Sequence, residues 1–315
     1  MKEIPQEKGA NLWPPDPNYT YFENCEVHPF RYDSEQFELV NAWWLADAAF
    51  LAYGGTEFIG TRLKNTNLSF KFFDSGHSTQ CFVAHNDNFV IVSFRGTEKF
   101  YYPDIFIDSR VKLIQYGARG QVHQGFKEAI DEIWEKNGNL KAYLESLKHN
   151  SPRTFWFTGH SLGGALATLA ADRFGDVHGV YTYGSPKVGD NNFCEGYPLK
   201  NKTYRFVHNN DIIPRITPPP QKISFKIKQP NFYGHLGRLK YINSDGSIED
   251  DPSLVYRLQE GLRGYVAYLS NIWKNIRLRI KGHLKPGIDF PSKSMADHMP
   301  IFYSIHIWNY YYSSA

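Results

Sequence analysis

From Asp33 to Tyr53 the apolar residues Phe37, Val40, Trp44, Ala48 and Leu51 recur every three or four positions, the spacing of one helix face. Asp33 can cap that helix with Gln36 at the reciprocal position, and Gly54-Gly55 ends it. Three short β-rich runs follow, LSFKFF (Leu68–Phe73), TQCFVAH (Thr79–His85) and FVIVSF (Phe89–Phe94). The last is apolar on both faces, as a buried central strand is. A helix is expected over about Gln124–Lys136, then a strand at FWF (Phe155–Phe157) and a small-residue helix after Ser161. VYTYG (Val180–Gly184) and YRFVH (Tyr204–His208) complete an alternation of strands and helices. Such an order predicts an α/β architecture: a mainly parallel central sheet, covered by helices on both faces, with sites at the carboxyl ends of strands.

Beyond Ile216 the pattern changes. Leu239–Ile248, with its Ser-Asp-Gly turn, reads as a hairpin, and Asp251-Pro252 fits the cap and first turn of a helix running to about Lys281. The expected organisation is one domain over residues 1–315, with a hairpin and amphipathic-helix insertion at about 217–285.

Composition narrows the function classes. The 35 basic residues nearly balance 32 acidic ones, a net charge of +3, so the overall charge points to no nucleic-acid partner. The opening MKEIPQEKGANLWPPDPNY has no apolar signal core, and no run reaches the roughly 18 apolar residues of a membrane span. Cys25, Cys81 and Cys194 are widely spaced and odd in number, which suits free, mostly buried thiols. A reducing, cytoplasmic setting is the default expectation, with signal-free export as the alternative. The 21 Tyr, 23 Phe and 7 Trp supply a large core or, additionally, an apolar substrate groove.

The candidate chemistry sits in TFWFTGHSLGGA (Thr154–Ala165). Gly159-His160-Ser161-Leu162-Gly163 matches G-x-S-x-G, the strand-to-helix elbow that exposes a nucleophilic serine, and the flanking strand and helix demanded by that motif are both present. Glycine is required on either side because a Cβ there would strike a neighbouring strand or helix. A hydroxyl needs a base to take its proton and an acid to orient the base. The chain order expected in this setting is Ser, then Asp or Glu, then His.

Asp211, in the turn after YRFVH, is the preferred acid, and Asp190 in GSPKVGD its nearest rival. Of His235, His283, His298 and His306, the preferred base is His298, where a polar loop leads into a final apolar helix. Two donors for an oxyanion are expected, the Leu162 N–H at the helix start and Thr97, with its N–H and hydroxyl, after FVIVSF. Arg95 reads as a structural ion-pair residue. No metal or cofactor is called for.

With IVSFRGT, VHQGF (Val122–Phe126), TFWFTGHSLGGALATLAA, YTYGSPKVGD, RFVHNNDIIPRI, YGHLGRLKY and ADHMPIFY in this order, the chain resembles the class 3 (fungal-type) lipases of the α/β-hydrolase fold over roughly Trp44–Tyr303. The resemblance implies a Ser161–Asp211–His298 triad, oxyanion donors at Thr97 and Leu162, and a structural part for His235 within Tyr-x-His-x-Gly. It implies cofactor-independent hydrolysis of acylglycerols or related lipid esters; soluble, feruloyl, phospholipid and galactolipid esters remain open, and a non-catalytic lipid-binding protein is the rival class. Two departures stand out. Pro103 interrupts EKFYYPDIFIDSRVKL (Glu98–Leu113), where the family carries a lid helix, and the stretch between acid and base is longer than the family's usual one.

That added length contains the predicted helix from Pro252. Val255, Leu258, Leu262, Val266, Leu269 and Trp273 share one face, and Arg257, Arg263, Lys274, Arg277 and Lys281 make it basic. Such a helix can lie on an anionic membrane or lipid-droplet surface; the alternative is an ordinarily packed helix with a solvated basic side.

Overall fold

A computed structural model describes residues 1–5, 12–77, 79–97, 112–136, 139–216, 233–266 and 293–314. Its centre is an eight-stranded sheet in the order β1 (Ser69–Asp74), β2 (Gln80–His85), β3 (Phe89–Phe94), β6 (Thr154–His160), β7 (Gly179–Tyr183), β8 (Thr203–His208), β9 (Arg238–Ile242) and β10 (Ile248–Asp250). The run from β3 to β9 is parallel; β1, β2 and β10 pair antiparallel at the edges. The expected hairpin is β9–β10.

Two apolar layers flank the sheet, and β6 shows how the sequence builds them. Phe155 and Phe157 point to a layer formed with α3 (Gln124–Asp131), α4 (Leu140–Asn150) and α5 (Leu162–Phe174), whereas Trp156 joins the opposite layer with α1 (Leu39–Leu51) and α9 (Pro300–Ser314). Alternate residues of a strand face opposite ways, so each face needs its own apolar set. Polar side chains fix α1 on the sheet: Ser93 Oγ donates to the Ala48 carbonyl at 2.9 Å, Thr158 Oγ1 to Leu45 at 3.0 Å and Tyr183 OH to Ala42 at 2.5 Å. Trp43 of α1 packs against Trp308 of α9, ring centres 4.4 Å apart and planes tilted by 48°.

Several expected boundaries move. α1 begins at Leu39, six residues after the anticipated cap Asp33, because Ser34 instead closes a local turn by donating to the Gln36 carbonyl and to Glu38. The helix after Gln124 changes from α to π geometry over Glu132–Lys136. α2 (Thr56–Leu63), the small β4 (Leu113–Gln115) and β5 (Gln121–His123) pair, α4 and α6 (Asn191–Gly196) were not anticipated. In the insertion, α7 spans 254–266; its cap is Ser253, whose Oγ accepts the Tyr256 N–H, in place of Asp251. The continuation to Lys281, with Lys274 and Arg277, and the lid candidate at residues 98–111 lie outside the described residues. A short α8 (Lys293–Ala296) precedes His298.

Cys25 and Cys81 are buried free thiols and Cys194 is half-buried and free. No helix among the described residues is long and apolar enough to cross a membrane.

Candidate active site

Ser161 sits where β6 turns into α5, with φ 57° and ψ −130°. A non-glycine residue at positive φ is strained, and strain of this kind is held only where the surroundings enforce it. Here the enforcement is backbone packing. A Cβ on Gly163 would run into the Phe94 and Arg95 backbone, and one on Gly159 into Gly163 and Gly164, which bears out the expected need for glycine on both sides. The Ser161 N–H donates to the Tyr183 carbonyl at 2.9 Å. Its Oγ is buried and makes no hydrogen bond among the described residues.

Asp211 and His298, 87 residues apart in sequence, meet with Nδ1 2.8 Å from Oδ2, both fully buried. A carboxylate only accepts, so Nδ1 carries the proton and donates. Asp211 Oδ2 also accepts from Tyr303 OH at 2.6 Å, and Oδ1 accepts from the Ile213 N–H at 2.9 Å. These donors stabilise the charged carboxylate in a dry site. Gly184 closes the pocket wall at φ 58°. A side chain there would be strained, and its Cβ would lie 2.6 Å from Asp211 Oδ2 and 2.9 Å from His298 Nδ1.

The elbow and the histidine loop are joined through His160, the variable residue of the motif. Its Nε2 donates to the His298 carbonyl at 2.6 Å, which leaves Nδ1 to accept from Tyr53 OH at 2.7 Å. The rings of His160 and His298 are 4.5 Å apart. Ser161 is therefore adjacent in chain to a residue that packs on His298.

Thr97 follows the strand end that abuts this elbow: a Cβ on Gly96 would stand 2.7 Å from the His160 carbonyl oxygen. Thr97 Oγ1 is buried without a hydrogen bond among the described residues. Leu162 opens α5, so its N–H is one of the first-turn donors that no helical carbonyl takes. The positive end of the α5 dipole points the same way.

The rival residues lie elsewhere. Asp190 caps α6 by accepting the Phe193 N–H at 2.8 Å and also accepts the Gln121 N–H at 3.1 Å, a structural task at a neighbouring loop. His306 packs against His208, ring centres 4.8 Å apart, and abuts Gly246. His235 lines a small cleft with Ser185 and Arg205. His283 lies outside the described residues.

Three contributors escaped sequence reasoning: Tyr303, His160 and Asp297. Asp297, beside His298, accepts from Lys293 Nζ at 2.6 Å, from the Asn210 N–H at 3.1 Å and from Asn209 Nδ2 at 3.2 Å; its carbonyl accepts from His208 Nδ1 at 3.0 Å. It thereby ties the loop of Asp211 to the loop of His298. Tyr303 lies in ADHMPIFY, but only the fold shows which helix face meets the acid.

Burial sets the ionisation of this layer. It pushes His160 well below the usual histidine range, with His298 adding to the effect, His208 down to about 4 and His306 to about 3, while Asp297 is raised to about 6. An unfolded histidine gains its proton below about pH 6.5, and these folded ones do not. Their stabilising contribution is present above that pH and is lost as pH falls toward their folded values. Asp297 acts oppositely, because the folded form holds its proton up to about pH 6 and the unfolded form only to about 4. His235 is likewise lowered to about 3, and four histidines outweigh one aspartate, so these groups together should take up about three protons on unfolding near pH 5.5. Urea unfolding free energies should fall from pH 7 to pH 5 with that slope; a flat profile would contradict the assignment of neutral, buried histidines.

Comparison with known proteins fits this geometry. The family model described as Lipase (class 3) matches residues 91–221. Secreted mono- and diacylglycerol lipase 1 of Fusarium solani is 39% identical over 36% of this chain and 34% of its own length. Triacylglycerol lipase OBL1 of Nicotiana tabacum is 33% identical over 67% of this chain and 52% of its own. The chain thus spans only part of these relatives, a third to about a half. Among solved structures, the lipase of Rhizopus microsporus var. chinensis superposes with a TM-score of 0.50 at 24% identity, covering 65% of this chain and 73% of that one. This likeness establishes the fold, the α/β-hydrolase arrangement anticipated from the strand order.

Proposed function

The chain belongs to the class 3 lipase family, and from that premise we propose that it is a serine carboxylester hydrolase acting on acylglycerols. The observation that carries the reading is the strained Ser161 elbow locked by His160 to a buried Asp211–His298 pair. The family relatives named as mono-, di- and triacylglycerol lipases support the substrate class.

Ser161 Oγ attacks the ester carbonyl while His298 Nε2 takes its proton. The imidazolium so formed is stabilised by Asp211, whose carboxylate is already oriented by Tyr303 and Ile213. The carbonyl oxygen becomes an oxyanion facing the Leu162 N–H and the N–H and hydroxyl of Thr97, each such donor contributing about a hundred- to a thousand-fold in rate. Collapse expels the alcohol, which takes the proton from His298, and leaves an acyl-Ser161 ester. Water, deprotonated by His298, then releases the fatty acid and restores the serine. Such a substrate is presented by an aggregate, so the enzyme works as a peripheral visitor to a membrane or lipid-droplet surface.

A panel of p-nitrophenyl esters of rising chain length, followed by emulsified triacylglycerol, diacylglycerol and phospholipid, tests this. Acylglycerols should be turned over faster than phospholipid, with rates rising as the ester passes from dissolved to aggregated. Absence of hydrolysis across the panel would refute the reading.

A further inference from the structure

Helix α7 (254–266) is inside out. Its buried residues are Glu260, Gly261 and Gly264, whereas Leu254, Val255, Leu258, Leu262 and Val266 are 57–66% exposed. At 100° per residue these five fall within an arc of about 120°. Arg263 stands about 60° beyond one edge and is exposed, whereas Arg257, about 60° beyond the other, falls between Gly261 and Gly264 on the inward side with its Nε buried. A helix packed for water puts its apolar arc inward; this one turns it out.

The inward side is already committed. Glu260 accepts from Ser244 Oγ at 2.8 Å, Tyr256 packs on Tyr241, and the Gly261 carbonyl accepts from Asn210 Nδ2 at 2.9 Å. The two glycines are required by this seat: a Cβ on Gly261 would stand 2.7 Å from Asn210 Oδ1, and one on Gly264 would overlap Asn209. Asn209 and Asn210 immediately precede Asp211. The helix is therefore mounted directly on the loop that carries the acid of the proposed triad.

We propose that the outward arc of α7 is the surface by which this enzyme docks on a lipid–water interface, the apolar side chains entering the acyl boundary and the exposed Arg263 reaching to headgroup phosphates. The inference rests on the lipase reading for the identity of the partner, and on the helix alone for the existence of the surface. Size decides against a second protein. Five side chains on one helix offer on the order of 500 Å², the scale of a functional patch on a monomer, whereas a stable protein interface takes about 800 Å² from each partner. A lipid surface needs no shape complement, and an exposed arginine at the edge of an apolar arc matches the geometry of an interfacial helix.

The test compares the full chain with Leu258→Glu/Leu262→Glu, both in a Ser161→Ala background so that lipid is not consumed, by sedimentation with vesicles of phosphatidylcholine containing phosphatidylserine. Both leucines are exposed, so the double variant should melt within a few degrees of its parent. Vesicle binding should fall at least tenfold. With Ser161 restored, hydrolysis of dissolved p-nitrophenyl acetate should stay within a factor of two, while the rate on emulsified lipid drops. Equal vesicle binding by parent and variant, or none by either, overturns the proposal. So does a concentration-dependent dimer that the variant abolishes, since the arc would then join two copies. An enzyme inert on every ester would refute the hydrolase reading and leave the vesicle result to stand by itself.

Discussion

Replacing Ser161 with alanine should lower kcat for a p-nitrophenyl ester by about 10⁵- to 10⁶-fold, the loss seen when a nucleophile that acts within a triad is removed. The fold should be indifferent. Serine and alanine carry the same Cβ, so the strain at φ 57° is unchanged, and Oγ makes no hydrogen bond among the described residues that would be forfeited. Near-identical melting curves with activity gone separate chemistry from stability. A fluorophosphonate should label the parent once per chain, at Ser161, and the variant not at all. A folded Ser161→Ala protein that retains full activity would sink the hydrolase assignment.

His298→Ala should cost about as much as losing the serine, and the two losses should not add, because each disables the same unit. Asp211→Asn should cost somewhat less, about 10⁴-fold, since the amide leaves the imidazole in place but no longer stabilises its cation. Here stability will change too. Removing the His298 ring leaves Asp211 buried with one donor fewer, and about 1–3 kcal/mol is typical for such a deficit. The control is His306→Ala. That ring contacts His208 and Gly246, so its loss should be read only in the melting temperature, with hydrolysis largely kept. Abolished turnover in a folded His306→Ala enzyme would transfer the base to that position.

The parts of the fold legible in sequence were those whose signal is local. FVIVSF marked β3 from Phe89 to Phe94 because an unbroken apolar run fits a strand covered on both faces. The elbow was legible because glycine, serine and glycine at that spacing answer a backbone requirement. What stayed hidden depends on partners distant in sequence. β4 and β5 are three residues each, too short for any periodicity. Asp297 and Tyr303 look like ordinary residues of a loop and a helix until β8 and its turn are laid beside them. The inverted orientation of α7 was equally out of reach: its apolar stripe was plain, but a stripe does not say whether it faces protein or solvent.

The pairing of α1 with α9 bears on how the chain acquires its shape. Trp43 and Trp308 pack together, although about 265 residues separate them, and β3, β6 and β7 all rest on the helix that holds Trp43. During synthesis the aromatic face of that helix emerges first and waits for α9 to follow it. Contacts of such long sequence separation slow folding and leave apolar surface open to aggregation in the interval. A ribosome stalled before Pro300 would present α1 with its outer aromatic face bare, so expression yield should depend on chaperone supply far more than the stability of the finished protein would imply.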